Sequence, residues 1–395
     1  MTLNETPAAE RVRITFFGVR NAGKSSLVNA VCAQDLSVVS AVAGTTTDIV
    51  TKTMELLPIG PVVIVDTPGI DDADEALGAL RVEKTHKALN SCDIAVLVVD
   101  GTRGLSAADE ELLALFKEHN TPYVLAWNKT DLPAAMPPAQ DAVSVSAANG
   151  EGIEALKERI GGINAAAAAP RPIIADLIGP GDVVVLVIPI DESAPKGRII
   201  LPQQLVLRDC LDVHASALCC QPEELAGVLE RLSAPPALVI TDSQAFARVA
   251  QVVPQEVALT SFSLVMARYK GTLSASIAAA DALANLHDGQ RVLIAEGCTH
   301  HRQCNDIGTV KMPAWIRRYT GCEPAFEFCS GQGFPASLEG ISLVVHCGGC
   351  MLNAKEMQTR SKQAAQAGVP MLNYGMAIAQ VNGILKRALA PLRAM

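Results

Sequence analysis

Residues 18–25 read Gly-Val-Arg-Asn-Ala-Gly-Lys-Ser and fit the pattern G-x-x-x-x-G-K-[S/T]. They stand between an apolar, strand-like run, Val12–Phe17, and a helical pattern that starts near Gly23. In that setting they predict a phosphate-binding loop, because backbone amides and a helix N-terminus attract phosphate oxygens. The alternative, a chance glycine-rich turn, is disfavoured by the strand and the helix on either side. We expect nucleotide contacts from Gly18, Asn21, Ala22, Gly23, Lys24, Ser25 and Ser26, with Lys24 also supplying charge for catalysis.

A second motif is expected to bind the magnesium ion of the same site. Asp66-Thr-Pro-Gly69 follows the apolar run Val62–Val65. We expect the carboxylate of Asp66 to reach Mg²⁺ through water, Gly69 to bond the γ-phosphate, and Ser25 to bind Mg²⁺ directly.

The base-reading residues come later in the chain. Asn128-Lys-Thr-Asp131 follows the run Tyr123–Trp127, and a carboxylate at Asp131 accepts two hydrogen bonds that guanine offers and adenine does not. Lys129 is expected to pack its stem on the base, and Ser146-Ala147 to donate a backbone N–H to guanine O6. With the motifs in this order at strand ends, this part of the chain predicts a GTP-binding domain and resembles the translation-factor-like small G domains.

One residue expected for GTP hydrolysis is missing. A Ras-type enzyme has a water-orienting Gln after the residue equivalent to Gly69, where this chain has Ile70. Thr46 is expected to close over the γ-phosphate and Mg²⁺, with its neighbours Thr45 and Thr47 as alternatives. The loop resembles that of potassium-activated GTPases, such as the tRNA-modification GTPase, in which the residue equivalent to Asn21 ligates K⁺. We therefore expect slow intrinsic turnover that K⁺ stimulates.

The composition of the 395 residues excludes several classes of protein. With 49% hydrophobic and 18% charged residues, the chain predicts two or three domains with large cores. A net charge of −9 argues against nucleic acid as a partner, and no apolar run approaches the ~20 residues of a membrane span. Eleven cysteines without an export signal predict a cytoplasmic protein whose thiols bind metal or stay free.

The order of apolar runs and helical patterns predicts an α/β protein of three domains. A GTP-binding domain is expected over residues 1–165 and a linker rich in Gly, Ala and Pro over residues 166–182. Residues 183–258 form a small α/β domain without catalytic spacings. Because its opening strand is apolar and unpaired strands recruit partners, we expect it to form a homodimer. Residues 259–395 form a C-terminal α/β domain.

Two cysteine clusters in the C-terminal domain each follow a strand-like run. Cys298-Thr-His300-His301 comes after Arg291–Ala295, and His346-Cys347-Gly-Gly-Cys350 comes after Ile341–Val345. Because ligand sites of parallel sheets form beyond the carboxyl ends of the strands, we expect the two loops to converge.

Three interpretations of these cysteines stand at this point. Structural zinc would take Cys298, Cys347, Cys350 and one His. An iron–sulfur cluster would take the three thiolates and leave its fourth iron to His346, His300 or an exchangeable group. Isolated core thiols are the third possibility, and spacing alone does not separate zinc from iron.

A GTP-binding domain joined to Cys-x-His and His-Cys-x-x-Cys motifs resembles the FeFe-hydrogenase maturation GTPase (HydF) family over essentially the whole chain. The resemblance also rests on Asp306-Ile-Gly-Thr-Val-Lys-Met-Pro between the two cysteine motifs. It implies a GTP-binding domain, a dimerisation domain and a C-terminal iron–sulfur cluster domain, with a 4Fe-4S cluster on Cys298, Cys347 and Cys350. The fourth ligand would be a His of the motifs or an acidic residue after Cys298, where Asn305 and Asp306 stand.

The resemblance further implies a role and partners. The protein would be a scaffold or carrier for the diiron precursor of the hydrogenase active site. Two radical-SAM maturases would supply that precursor, and apo FeFe-hydrogenase would receive it. The rival interpretation is a tRNA-modification or ribosome-assembly GTPase with a zinc-binding C-terminal domain. The net charge of −9 and the absence of a basic stripe with interleaved aromatic residues count against that rival.

Overall fold

The computed structural model describes residues 7–33, 50–69, 85–166, 171–190, 199–297, 306–331 and 333–392. The chain divides into two compact units, Met1–Ala169 and Pro170–Met395. Both units are α/β, as the sequence predicts. In the described part of the chain, no helix is both long enough and apolar enough to cross a membrane.

The first unit is built on a six-stranded sheet with the order β2-β3-β1-β4-β5-β6. Strand β2 runs antiparallel to β3, and the other neighbours are parallel. The central strand β4 is buried along its whole length, as expected for a parallel strand covered on both faces. The strands are β1 Val12–Phe17, β2 Val50–Leu56, β3 Gly60–Asp66, β4 Ile94–Asp100, β5 Tyr123–Asn128 and β6 Val143–Ser144.

Helices cover both faces of this sheet and leave its carboxyl edge to the connecting loops. Successive side chains of β1 point to opposite faces, so Phe16 lies in one hydrophobic cluster and Phe17 in the other. The α-helices are α1 Lys24–Ala33, α2 with described residues 85–90, α3 Ala107–Glu118 and α4 Ile153–Ala166, and a 3₁₀ turn spans Ala8–Glu10.

The second unit contains two four-stranded parallel sheets with the orders β10-β9-β7-β8 and β12-β11-β13-β14. The strands of the first are β7 Val183–Val187, β8 Ser216–Cys220, β9 Leu238–Thr241 and β10 Leu259–Ser261. The strands of the second are β11 Arg291–Glu296, β12 Ala325–Ser330, β13 Ile341–His346 and β14 Met371–Asn373.

The helices of the second unit are mostly short. The α-helices are α5 Leu201–Asp212, α6 Leu225–Arg231, α7 Phe246–Val252, α8 Phe262–Tyr269, α9 Leu273–Ala278, α10 Ala280–Ala284, α11 Met312–Thr320, α12 Ala354–Gln366, α13 Tyr374–Val381 and α14 Leu385–Leu389. A π-helical turn spans Ile307–Lys311, and 3₁₀ turns span Ser243–Ala245 and Ala390–Leu392.

One hydrophobic core runs through both sheets of the second unit. It includes Val185 and Ile240 from the first sheet and Ile294 and Val345 from the second. The first sheet extends beyond residue 258, because β10 adds its edge strand at 259–261. Part of the predicted linker also belongs to this core, where Ile173 and Ile174 are buried. The two sheets therefore share one folded unit.

Candidate functional site

The phosphate-binding loop turns from β1 into α1 through unusual backbone angles, with φ of 144° at Gly18, 63° at Asn21 and 91° at Gly23. A Cβ atom at Gly18 would lie 2.4 Å from the carbonyl oxygen of Val98, and one at Gly23 would lie 2.3 Å from Nδ2 of Asn128. These two positions therefore require glycine on grounds of both space and conformation. The loop is pressed against the carboxyl ends of β4 and β5.

Lys24 lies where the sequence predicts the phosphate-binding charge. It is buried, and its Nζ donates hydrogen bonds to the carbonyl oxygens of Gly18 at 3.0 Å and Val19 at 2.8 Å. Gly69 lies beside it, because a Cβ there would be 3.1 Å from that Nζ. Ala22 is buried, whereas Asn21 and Ser26 are exposed on the loop and on the first turn of α1.

Ser25 and Asp66 meet at the predicted magnesium position. The Ser25 hydroxyl donates to Oδ2 of Asp66 at 2.6 Å. The other carboxylate oxygen, Oδ1, is buried and has no hydrogen-bond partner within the described residues. A buried acceptor without a donor costs about 1–3 kcal/mol, and hard oxygen ligands are those that Mg²⁺ prefers. Ser25 and Asp66 therefore fit Mg²⁺. Thr46, the other predicted magnesium ligand, lies outside the described residues.

Asn128 joins three of the predicted motifs. Its Nδ2 donates to the carbonyl oxygen of Ala22 at 2.9 Å, and its Oδ1 accepts from the backbone N–H of Ala147 at 3.1 Å. The neighbouring Ser146 hydroxyl donates to Oδ1 of Asp131 at 2.6 Å. Asp131, whose carboxylate is expected to bind guanine, is thus held by Ser146, which belongs to the loop expected to contact guanine O6.

Asp100 is a residue of this site that the sequence reasoning missed. Lys129, at φ 64°, places its Nζ 2.6 Å from Oδ2 of Asp100, the last residue of β4. Burial would raise the pKa of Asp100, but hydrogen bonds from Lys129 and Thr102 outweigh it and hold the pKa below its usual value. The available signal was an acid closing the otherwise apolar run Ile94–Val99.

Gly297, the first residue after β11, contacts the turn that follows β13. The two strands are parallel neighbours, and Ala295 pairs with His346. The backbone N–H of Cys347 donates to the carbonyl oxygen of Ala295 at 2.9 Å, and that of Gly297 donates to Sγ of Cys347 at 3.0 Å. Cys298 and His300 lie outside the described residues, but Gly297 directly precedes Cys298 in the chain.

The turn that carries Cys347 and Cys350 provides a low-dielectric setting for sulfur. Burial raises the pKa of the Cys347 thiol to about 11, although hydrogen bonds from Gly297 and Gly349 act in the opposite direction. Backbone amides aimed at sulfur and soft thiol donors are typical of zinc and iron–sulfur sites. Within the described residues, no three His, Cys, Asp or Glu side chains form a group that could hold a metal ion. Cys347 and Cys350 are the two predicted thiol ligands that the described residues include, and their role as ligands stays a prediction.

His346 is engaged at both ring nitrogens. Its Nδ1 lies 2.8 Å from the carbonyl oxygen of Cys347, and its Nε2 lies 3.0 Å from Nη1 of Arg360. Because a guanidinium only donates, Nε2 accepts and Nδ1–H donates to the turn. Burial, followed by the charge of Arg360, lowers the pKa of His346 to about 3. The ring is thus neutral and orients the turn. Its predicted role as an iron ligand stays a prediction.

Arg360 was not singled out from the sequence. It is buried on α12, donates to the carbonyl oxygen of Gly331 at 2.6 Å and pairs with Glu356, and it stacks on Phe334. Arg360 is a positively charged residue within a helical pattern, and nothing in that pattern indicates that its side chain is buried.

Three family models match successive parts of the chain. A 50S ribosome-binding GTPase model matches residues 13–129, and the hydrogen maturase F dimerization domain matches residues 173–271. The hydrogen maturase F tetramerization domain matches residues 274–391.

The chain belongs to the hydrogen maturase F family. This confirms the resemblance stated from the motifs. The two family-specific models cover most of the second unit and support oligomerisation. The description of the C-terminal family model also names tetramerization, which the sequence did not lead us to expect.

Curated relatives match the first unit. The tRNA modification GTPase MnmE of Parasynechococcus marenigrum is 37% identical over 154 residues, which are 38% of this chain and 34% of that protein. MnmE of Lactococcus lactis subsp. lactis is 36% identical over 154 residues, 38% of this chain and 33% of that protein. The chain thus spans about a third of the length of these relatives.

Two solved structures show a low similarity to the chain. Aquifex aeolicus Era bound to GDP and AlF4⁻ is 22% identical, with a TM-score of 0.32, over 52% of this chain and 91% of that one. The G domain of the T. maritima FeoB iron transporter is 21% identical, with a TM-score of 0.30, over 38% of this chain and 96% of that one.

Proposed function

We propose that the protein is a GTP-hydrolysing scaffold or carrier in the maturation of FeFe-hydrogenase. It holds a 4Fe-4S cluster on Cys298, Cys347 and Cys350 and carries a diiron precursor from two radical-SAM maturases to apo-hydrogenase. The observation that supports this most is the hydrogen bond from Gly297 to Cys347 Sγ, because it brings the chain leading to Cys298 onto the Cys-x-x-Cys turn. Membership of the hydrogen maturase F family supports the partners.

The proposed GTPase chemistry assigns one task to each group of residues. Lys24 and the loop amides bind the phosphates, and Asp131 with Ala147 recognises guanine. Ser25 and Asp66 would hold Mg²⁺, which neutralises phosphate charge. Asn21 would hold K⁺ and thereby replace the charge that other GTPases obtain from an arginine finger. Thr46 would close over the γ-phosphate.

The cysteine turn has a different proposed task. Its thiols would bind iron of the cluster, and the backbone amides of Gly297 and Gly349 are directed at Cys347 Sγ. The neutral His346 ring holds the turn in place. Three protein thiolates would leave one iron of the cluster accessible to an incoming diiron complex through a bridging group.

We further propose that the protein is a cytoplasmic homodimer formed through residues 183–258. The opening strand β7 is not the unpaired strand that its apolar run suggested, because it pairs with β8 and β9 and is largely buried. Among the described strands of this sheet, β8 is an edge strand, and Cys219 on it is exposed. An edge strand offers unpaired backbone groups to a second copy. Light scattering of the full chain at micromolar concentration checks this proposal, and a monomer would contradict it.

The experiment that tests the carrier role compares Cys347→Ala with Cys322→Ala under anaerobic reconstitution. Cys322 is a matched control because it lies in the same unit and its thiol donates to the Leu286 carbonyl oxygen, away from the turn. Wild type and Cys322→Ala should show a brown iron–sulfur absorption band and activate apo-hydrogenase. Cys347→Ala should lose both and keep GTP turnover. A colourless wild type that binds zinc would favour the rival tRNA-modification or ribosome-assembly GTPase.

A further inference from the structure

Asp100 ends β4 directly beside the start of the base-reading motif, Asn128–Asp131. It is paired with Asn128, the last residue of β5, in the parallel register of the two strands. Its carboxylate oxygen Oδ2 lies 2.6 Å from Nζ of Lys129, and the side chains of Asp100 and Lys129 are 10% and 29% exposed. An ion pair that is sheltered in this way is screened less than a pair on the open surface. Asp100 is therefore able to hold the Lys129 side chain in one position.

The carboxylate of Asp100 is itself held by its own turn. Its Oδ1 accepts hydrogen bonds from the backbone N–H of Thr102 at 3.0 Å and from the Thr102 hydroxyl at 2.7 Å. The backbone carbonyl oxygen of Asp100 accepts from the N–H groups of Arg103 and Gly104, both at 2.9 Å. None of these bonds involves Lys129. Asp100 is thus a fixed anchor to which the lysine is attached.

Further bonds tie residues 100–104 to the loop that carries Lys129. The backbone N–H of Gly101 donates to the carbonyl oxygen of Asn128 at 2.8 Å, and a Cβ at Gly101 would lie only 2.6 Å from that oxygen. The backbone N–H of Met136 donates to the carbonyl oxygen of Gly101 at 2.8 Å. Trp127 Nε1 donates to the carbonyl oxygen of Met136 at 3.1 Å. The turn and the base-reading loop are therefore packed as one assembly.

Lys129 is a residue for which such an anchor matters. Its φ of 64° lies in the left-handed region, which residues with a side chain rarely adopt. Its long side chain has many rotamers, and fixing one of them costs conformational entropy. A side chain that is already ordered in the free protein loses less entropy when a ligand binds. The ion pair with Asp100 supplies this order.

We propose that Asp100 is a positioning residue for guanine nucleotides: it orders Lys129 so that the stem of Lys129 is ready to pack on the base. This inference rests on the proposed nucleotide site, in which Lys129 contacts guanine. Because GTP and GDP share the base, Asp100 affects the retention of both nucleotides alike. The phosphates are bound by the loop around Lys24, so the hydrolysis step in the filled site depends on other residues.

The experiment compares Asp100→Asn, Lys129→Met and the double variant in the full chain. Asn keeps the shape of the Asp side chain without its charge, and Met keeps an apolar stem without the ammonium. Arg103→Gln is the control, because Arg103 is exposed on the same turn and its bond to the Asp100 carbonyl comes from the backbone. The measurements are the Kd values of GTP and GDP by titration calorimetry, the rate of GDP release, and kcat and KM for GTP.

Asp100→Asn should weaken the binding of GTP and of GDP by a similar factor, about three- to tenfold, mainly through faster release. KM for GTP should rise by the same factor, while kcat stays close to that of wild type. The double variant should bind no more weakly than the weaker single variant, because two residues of one interaction are not additive. Arg103→Gln should bind both nucleotides as wild type does.

Three outcomes would overturn the inference. They are wild-type affinity in Asp100→Asn, fully additive losses in the double variant, and a fall in kcat without a rise in KM. If Asp100→Asn does not fold, Thr102→Val decides: it removes one donor to Asp100 and should give a smaller shift in the same direction, and unchanged affinity would count against the role of Asp100. Wild type that binds neither GTP nor GDP would instead overturn the proposed function.

Discussion

The nucleotide site and the cysteine turn both lie at the carboxyl edges of parallel strands, but they are assembled differently. In the first unit, Asn128 connects the phosphate loop to Ala147, and Ser146 holds Asp131, all by hydrogen bonds between polar groups of neighbouring loops. In the second unit, thiols lie among buried cations, Lys270 and Arg360. The nucleotide site is thus held by contacts between its own loops, whereas the cysteine turn is held by side chains of other elements, Lys270 after α8 and Arg360 on α12.

The largest effect that separates the two sites is expected from Lys24→Ala. Loss of the ammonium held at Gly18 and Val19 removes charge at the phosphates, so GTP turnover should fall by roughly 10²–10³-fold. The iron content and the cluster spectrum should equal those of wild type, because the two sites belong to separate folded units. The assay pairs GTP turnover with iron analysis, and lost iron in this variant would show that the sites depend on each other.

Base recognition provides the next largest effect. Asp131→Asn would place an amide donor against the guanine donors, and the loss of a charge-assisted pair costs about 1.5–3 kcal/mol, or more than tenfold in GTP affinity. Titration calorimetry with GTP and ATP measures it. The matched control is Asp141→Asn, a turn residue of the same unit. Equal affinity of wild type for ATP and GTP would contradict the assignment.

As the pH falls, the unit that contains His346 should lose folding stability before the unit that contains the nucleotide site does. Folding lowers the pKa of His346 from 6.5 to about 3, so the unfolded chain binds more protons between these values. The resulting stability is fully present above pH 6.5 and falls by up to about 1.4 kcal/mol for each pH unit below it. Thermal unfolding of the apo-protein from pH 7 to pH 4 measures the loss. His346→Gln keeps an acceptor for Arg360 but does not titrate, so its profile should be flatter, and an equally steep profile would refute the cause.

The smallest expected effect is the stimulation of GTP turnover by potassium at the phosphate-binding loop of the first unit. Asn21 is exposed at φ 63° on the phosphate loop, and the residue after Gly69 is not a Gln. GTP turnover should be several-fold faster in KCl than in NaCl, and Asn21→Ala should remove that difference. Asn29→Ala on α1 serves as the control. Equal rates of wild type in the two salts would exclude the potassium hypothesis.

Much of the first unit was predictable because its signals are local in the chain. The pattern at residues 18–25 needs a strand before it and a helix after it, and both are present as β1 and α1. Asp66 and Asn128 each end a strand, as predicted, and backbone pairing alone brings them to one edge. Asp100 follows directly after an apolar run, but its pairing was missed because its partner Lys129 lies 29 residues away.

The α/β class, the order of the two sites and the residue types at each site follow from the amino-acid sequence, because strand periodicity and motif spacing are properties of short segments. Which side chains surround those motifs depends on the packing of distant segments. Lys270 reaches a carbonyl 79 residues away, and the ring of His346 turns to Arg360 and the Cys347 carbonyl. Burial makes these contacts strong, and burial follows from the packing of two sheets on one core rather than from any short stretch of residues.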